Sequence, residues 1–337
     1  MDKLAVAQPS TEDWAVQRKM IAILRILAQS EQPLGATTIA SQLEEQGIRL
    51  SERQIRYHLK IMEERGLTQS IGQAGRVLTE KGLDEIQSAM ISDKVGFVVA
   101  RIDRLAYATT FDVNTGKGEI VLNVSFLPAD ELPAALQVMK PVIEAGLSMS
   151  DLVIIAREGE RLGERVPPGM VAIGTVCSVT LNGVLLRGGV PVESRFGGLL
   201  EIRGRKPLRF VELVSYAGST LDPLQIFITG QMTSAYQAAV TGNGKVGASL
   251  RDLPAVALPR ALELIERLKD YRLGGVIAVG DPNQPLLQIP VGFERAGLVV
   301  IGGLTPMAAV TEHGLQVKNL PMSTTCDFSL LQPIWEL

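Results

Sequence analysis

The run SERQIRYHLK, residues 51–60, holds two arginines, a glutamine, a tyrosine, a histidine and a lysine within ten positions. Long polar side chains of this kind read nucleic acid: Arg pairs with guanine, Gln pairs with adenine, and basic groups hold phosphates. From Arg49 to Lys60 there are four basic residues and one acid, Glu52, a net of +3. This charge is local, because residues 1–94 hold 12 Lys/Arg against 13 Asp/Glu. The candidate DNA contacts are therefore Arg49, Ser51, Arg53, Gln54, Arg56, Tyr57, His58 and Lys60. Arg76, farther along, is placed to touch the backbone or the minor groove.

A second polar grouping pairs PVESRFGG, 191–198, with PMSTTCDF, 321–328. A shift of 130 residues sets Glu193, Ser194 and Arg195 opposite Ser323, Thr324 and Thr325. An arginine beside hydroxyls and glycine amides suits a carboxylate, since the guanidinium offers a fixed two-pronged donor. His313 joins these six as a candidate ligand contact.

Other chemistry is poorly served. The chain holds two histidines, His58 and His313, and two cysteines, Cys177 and Cys326, all widely separated. No metal-ligand spacing, disulfide framework, phosphate loop or GxSxG motif appears. No catalytic residue, metal or cofactor is expected, and the chain reads as a non-enzyme. No secretory or membrane-spanning pattern is present either, so a cytoplasmic protein is expected.

The elements that position these residues follow from periodicity. Apolar residues Met20, Ile21, Ile23, Leu24, Ile26 and Leu27 fall at helical spacing, and a second helix runs to Gly47. Ser51 with Gln54 is a capping box that opens a third helix, with Ile55, Leu59 and Met62 on one face. Two short runs, Leu67 to Ile71 and Arg76 to Leu78, surround a glycine turn as a small hairpin, and another helical stretch closes the segment. This is the order of an all-α winged helix-turn-helix with a small β-wing, assigned to residues 1–92. A single winged helix reads a half-site, so tight binding calls for a dimer on a two-fold operator.

Residues 93–337 read as an α/β or α+β domain, with Val/Ile runs alternating with Gly/Pro turns. Its order repeats. LPADELPAAL at 127–136 returns as LPAVALPRAL at 253–262, and each is followed by a helix and similar short runs. Further identities match Ile173 with Ile301, Val179 with Val310 and Pro191 with Pro321. Two duplicated halves, about 110–235 and 240–337, are expected, with a ligand in the seam between them. Each Leu-Pro pair reads as the start of a helix, where proline's missing N–H costs nothing.

The stretch from PLGATTIASQLEEQG to TEKG strongly resembles the winged helix of the NrpR family of nitrogen regulators. VPPGMVAIGTVCSVTLNGVLLRGGVPVESRFGG is similar to that family's regulatory domain. The resemblance implies a repressor, homodimer or tetramer, on a palindromic double-stranded DNA operator of nitrogen-assimilation genes. It also implies release by a small effector, 2-oxoglutarate. The alternatives left open are the same architecture sensing another metabolite, and a bifunctional enzyme-regulator.

Overall fold

The computed structural model describes residues 11–30, 32–88 and 96–337 and divides into two compact units, Met1–Lys94 and Val95–Leu337. The domain boundary expected at 92/93 lies outside the described residues.

The first unit runs α1 (Thr11–Ala28), α2 (Ala36–Glu45), α3 (Glu52–Glu64), β1 (Thr68–Ser70), β2 (Arg76–Leu78) and α4 (Glu80–Ser88). Helix α3 begins where expected. The Ser51 hydroxyl accepts from the Gln54 amide, and Gln54 Oε1 accepts from the Ser51 amide at 2.9 Å, closing the capping box. Apolar side chains of α1, α2 and α3, among them Leu24, Ile39, Leu43, Ile55 and Met62, form one core. Strands β1 and β2 pair antiparallel as the wing, and Leu34 forms an isolated antiparallel bridge to Arg76.

The second unit opens with α5 (Phe97–Ala108) and then builds two five-stranded sheets. Its first run is β3 (Glu119–Pro128), α6 (Leu132–Glu144), β4 (Leu152–Arg157), a small hairpin of β5 (Arg161–Leu162) and β6 (Glu164–Arg165), β7 (Met170–Val176), α7 (Val179–Arg187) and β8 (Glu193–Arg203). Strand β9 (Lys206–Ser215) and helices α8 (Pro223–Thr229) and α9 (Ala235–Thr241) connect to a second run. That run is β10 (Gly244–Pro254), α10 (Leu258–Lys269), β11 (Val276–Val279), β12 (Arg295–Ile301), α11 (Thr305–Glu312) and β13 (Lys318–Asp327), followed by β14 (Gln332–Pro333). Every strand pair among the described residues is antiparallel, so the architecture is α+β rather than parallel α/β.

The two runs share the element order strand, helix, strand, strand, helix, strand. They share the pairing register as well. A shift of 126 carries Leu122 onto Ala248 and Pro128 onto Pro254, and a shift of 125 carries Val176 onto Ile301 and Met170 onto Arg295. In this register Ile173 corresponds to Leu298 and Val179 to Leu304, so the sequence identities Ile173 with Ile301 and Val179 with Val310 stand out of phase. Local identity matching slides along a strand of similar apolar residues, whereas hydrogen-bond register does not.

The last strand of each run crosses to the other run's sheet. The orders are β11-β12-β10-β8-β9 and β13-β3-β7-β4-β14, so β8 pairs with β10 and β13 pairs with β3. Both exchanged strands are bulged where they enter, at Arg195 in β8 and between Leu320 and Thr324 in β13. The exchange joins the runs into one hydrophobic core, which holds Leu122 and Val124 of β3 together with Ala248 and Leu250 of β10. Pro133 and Pro259 sit at the starts of α6 and α10, as the Leu-Pro pairs require.

Candidate functional site

In the first unit, the face of α3 opposite its core carries Arg53, Arg56, Tyr57 and Lys60, all exposed. Their spacing of three, four and seven residues places them on one stripe. Arg56 pairs with Glu52 one turn away at 2.9 Å, an exposed contact that a phosphate can replace at small cost. Arg49 is exposed just before the helix, near Glu44 at 3.9 Å.

The remaining candidates of this unit do other work. Ser51 and Gln54 are engaged in the cap, which leaves Gln54 only its amide nitrogen to offer. His58 is buried between turns of α3 and the core, and burial with the nearby Lys19 charge lowers its pKa. It packs into the core, which leaves it little surface to offer DNA. The Arg76 guanidinium turns back onto Glu63 of α3, so it braces the wing instead of reaching out from it.

In the second unit the structure does not bring the seven candidate ligand residues together. Arg195 pairs with Asp252 at 3.1 Å and lies near Glu193, and Arg295 closes the same network on Asp252. The Arg195 guanidinium is thus already neutralised. His313 ends α11 with Nδ1 on the Ala309 carbonyl and its ring edge-on to Tyr236. Ser323, Thr324 and Thr325 lie on β13, in the sheet that β8 does not join. Of the seven, Ser194 alone lines the cavity formed by β3, β8, β10 and β13.

That cavity lies where the strand exchange brings the two runs together. Asn123, Ser194, Arg251 and Met322 come from β3, β8, β10 and β13, Ile102 from α5, and Tyr216 and Asp222 from the segment after β9. Ser178 with Val179, and Gly303 with Leu304, bring the N-termini of α7 and α11 to the same wall. Helix starts carry a partial positive charge, which favours an anion.

Arg251 decides the character of the site. It is 2% exposed, the largest fully buried side chain among the described residues. Its Nε donates to Ser249 Oγ at 3.2 Å, and Nη1 donates to the Ser178 carbonyl at 2.9 Å and to Asn182 Oδ1. These acceptors are all neutral, and among the described residues Arg251 makes no ion pair. Among the described residues its Nη2 has no hydrogen-bond partner. Burial pulls its pKa from 12.5 down to about 10. A buried charge without a counter-charge is costly, and an anionic ligand would supply the missing partner.

The lining has one acid, Asp222. Its carboxylate accepts from the Leu224 amide at 3.0 Å as the cap of α8, and burial raises its pKa to about 6. Cys177, at the start of α7, is a buried free thiol pushed up to about 11 by burial. No cluster of metal-ligating side chains is present among the described residues.

Sequence reasoning missed Arg251. The signal was an arginine in ASLRDLP, between Leu250 and Asp252, in a strand otherwise made largely of small and apolar residues.

Comparison with known proteins bears on both units. Residues 95–333 match the family described as NrpR regulatory domains NRD1 and 2, and residues 21–86 match the ribonuclease R winged-helix domain. The chain is 37% identical over 322 residues to the global nitrogen regulator NrpRI of Methanosarcina mazei, covering 96% of this chain and 99% of that one. It is 34% identical over 310 residues to the global nitrogen regulator NrpR of Methanocaldococcus jannaschii, covering 92% of this chain but 54% of that protein. The crystal structure of a nitrogen repressor-like protein from Methanococcus jannaschii matches with a TM-score of 0.60 at 27% identity, over 70% of this chain and 98% of that one. Among the described residues no helix is long and apolar enough to cross a membrane.

Proposed function

The chain belongs to the NrpR family of transcriptional regulators, and from that premise we propose that it represses nitrogen-assimilation genes by binding a palindromic operator. Helix α3 lies in the major groove, with Arg53, Arg56, Tyr57 and Lys60 at the bases and phosphates. A homodimer presents two such helices to two half-sites. The two runs of the regulatory unit are copies of one duplicated segment, a reading supported by their common register.

A small carboxylate, with 2-oxoglutarate as the first candidate, binds the cavity at the strand exchange and releases the operator. The observation that carries this reading is the buried Arg251 guanidinium, satisfied only by neutral acceptors and facing two helix starts. One carboxylate pairs with Nη2 of Arg251, and the Ser194 hydroxyl and the Asn123 side chain border the rest of the ligand. Arg195 has no such opening, because Asp252 holds it.

Titration calorimetry of the full chain with 2-oxoglutarate and with succinate, glutamate and malate tests the site. Binding abolished by Arg251→Met and retained in Arg195→Met supports it; the opposite pattern overturns it.

A further inference from the structure

The cavity in this form measures about 20 Å³, room for roughly one water molecule. A keto dicarboxylate is several times that size, so one wall must move for it to enter.

Most of the walls are fixed. Strands β3, β7, β8, β10 and β12 are each paired on both sides, and α7 and α11 start directly after β7 and β12. The segment after β9 is tied to the sheets by the Tyr216 amide, which donates to the Arg195 carbonyl of β8 at 3.1 Å, and by Gln225 Nε2, which donates to the Asn319 carbonyl of β13 at 3.0 Å. Among the described residues helix α5 has neither a sheet ladder nor a backbone amide tied to a strand in this way. It lies on the rest of the unit through Val98, Ile102, Leu105 and Ala106, packed against Val121, Cys177, Val179 and Met322. A side-chain hydrogen bond, from Arg101 Nε to the Met322 carbonyl at 3.0 Å, clamps its middle.

Its C-terminal end is anchored in the fold. At the C-terminal end the buried Thr109 sits against Gly183 of α7, where a Cβ would collide with the Thr109 side chain and come within 2.7 Å of the Ala106 carbonyl. That close approach makes a pivot. At the N-terminal end the cap is Gly96, left-handed at φ 86° and without a side-chain cap hydrogen bond. In chain order α5 is the next described element after α4 of the winged helix.

We propose that α5 is the moving wall of the cavity and the lever through which its occupancy reaches the DNA-binding unit; this rests on the carboxylate reading above. At 1.5 Å per residue, Ile102 lies about 10 Å from Thr109 and Gly96 about 20 Å from it. A displacement of the helix at Ile102 is therefore doubled at its N-terminal end, so a shift of about 2 Å over the ligand becomes about 4 Å where the chain leaves for the winged helix.

The test uses the full chain and a wedge in place of a ligand. Ile102→Trp puts more volume into the wall than the cavity can take, so α5 must lift with no carboxylate present. Its affinity for DNA selected from random duplexes by the wild-type chain is expected to fall about 5- to 150-fold, the range of ordinary allosteric coupling. Deuterium uptake is expected to rise over residues 97–103 and to stay unchanged over 104–109. A folded Ile102→Trp chain with wild-type DNA affinity and wild-type uptake overturns the lever. If the Trp variant does not fold, Ile102→Phe is read by the same two measurements. Adding 2-oxoglutarate to the wild-type chain separates the two readings. Weak DNA binding by the wedge variant with no effect of 2-oxoglutarate on wild type removes the effector and leaves the lever; the reverse removes the lever alone.

Discussion

Replacing Arg251 by methionine asks whether the buried guanidinium is a binding group or a structural one. Burial lowers the Arg251 pKa from 12.5 to about 10, which at about 1.4 kcal/mol per unit makes the buried charge cost roughly 3 kcal/mol. Methionine keeps much of the apolar stem and removes that cost. Against it, the Ser178 carbonyl, Asn182 Oδ1 and Ser249 Oγ each lose a donor, at about 1 kcal/mol or more apiece. The two effects nearly cancel, so the ligand-free chain is expected to change in stability by less than about 2 kcal/mol. Ligand response behaves differently. Removing the charge that a buried carboxylate pairs with costs about 2 to 5 kcal/mol, roughly 30- to 5,000-fold in affinity.

Differential scanning calorimetry separates these outcomes. At a 2-oxoglutarate concentration 100 times its Kd, the wild-type regulatory unit gains about 2.7 kcal/mol. For a unit of this size that raises its Tm by about 5 to 10 °C. Arg251→Met is expected to unfold near the ligand-free wild-type Tm with or without 2-oxoglutarate. A variant that keeps the full ligand-induced rise refutes the reasoning. So does one that loses more than about 5 kcal/mol without ligand, since Arg251 would then be holding the fold together.

Three further outcomes are expected. Arg53→Ala, Arg56→Ala and Lys60→Ala are each expected to weaken operator binding and, where a phosphate contact is lost, to reduce the salt slope by about 1, with stability within about 0.5 kcal/mol of wild type; binding titrations at several salt concentrations check this. Asp222 has a folded pKa of about 6 against an ordinary 3.8, so the folded chain holds its proton more tightly. The resulting stability, up to roughly 3 kcal/mol, is full below about pH 4 and is lost as pH rises through 6; denaturant midpoints across this window are expected to flatten in Asp222→Asn. Gly303→Ala would press a Cβ onto the Val176 carbonyl and to 2.6 Å from Asn123 Nδ2, a clash expected to cost about 1 to 3 kcal/mol in urea unfolding.

The winged helix was legible in the sequence because its signals are local. A capping box at Ser51 and Gln54, an apolar stripe at Ile55, Leu59 and Met62, and glycine turns each act within a few residues. The same locality misled at His58 and Arg76. A polar residue on an Arg-rich helix reads as exposed until the core behind it is seen, and the reach of Arg76 back to Glu63 depends on how the wing folds over α3. In the regulatory unit, the LPA pairs marked the two strand-to-helix turns, because proline acts on its own neighbours. The exchange of β8 and β13 was not legible, since it joins strands far apart in the chain. The cavity depends on that exchange: Arg251 and Asn182 meet across 69 residues. Arg195 looked like the free arginine only because Asp252 is distant in sequence.

The most direct measurement is the affinity of the full chain for DNA it selects from random duplexes, titrated at fixed salt with and without millimolar 2-oxoglutarate. A fall of about 5- to 150-fold on adding 2-oxoglutarate, absent in Arg251→Met, is the expected result. An affinity that 2-oxoglutarate leaves unchanged in the wild-type chain would contradict effector-controlled repression through this cavity.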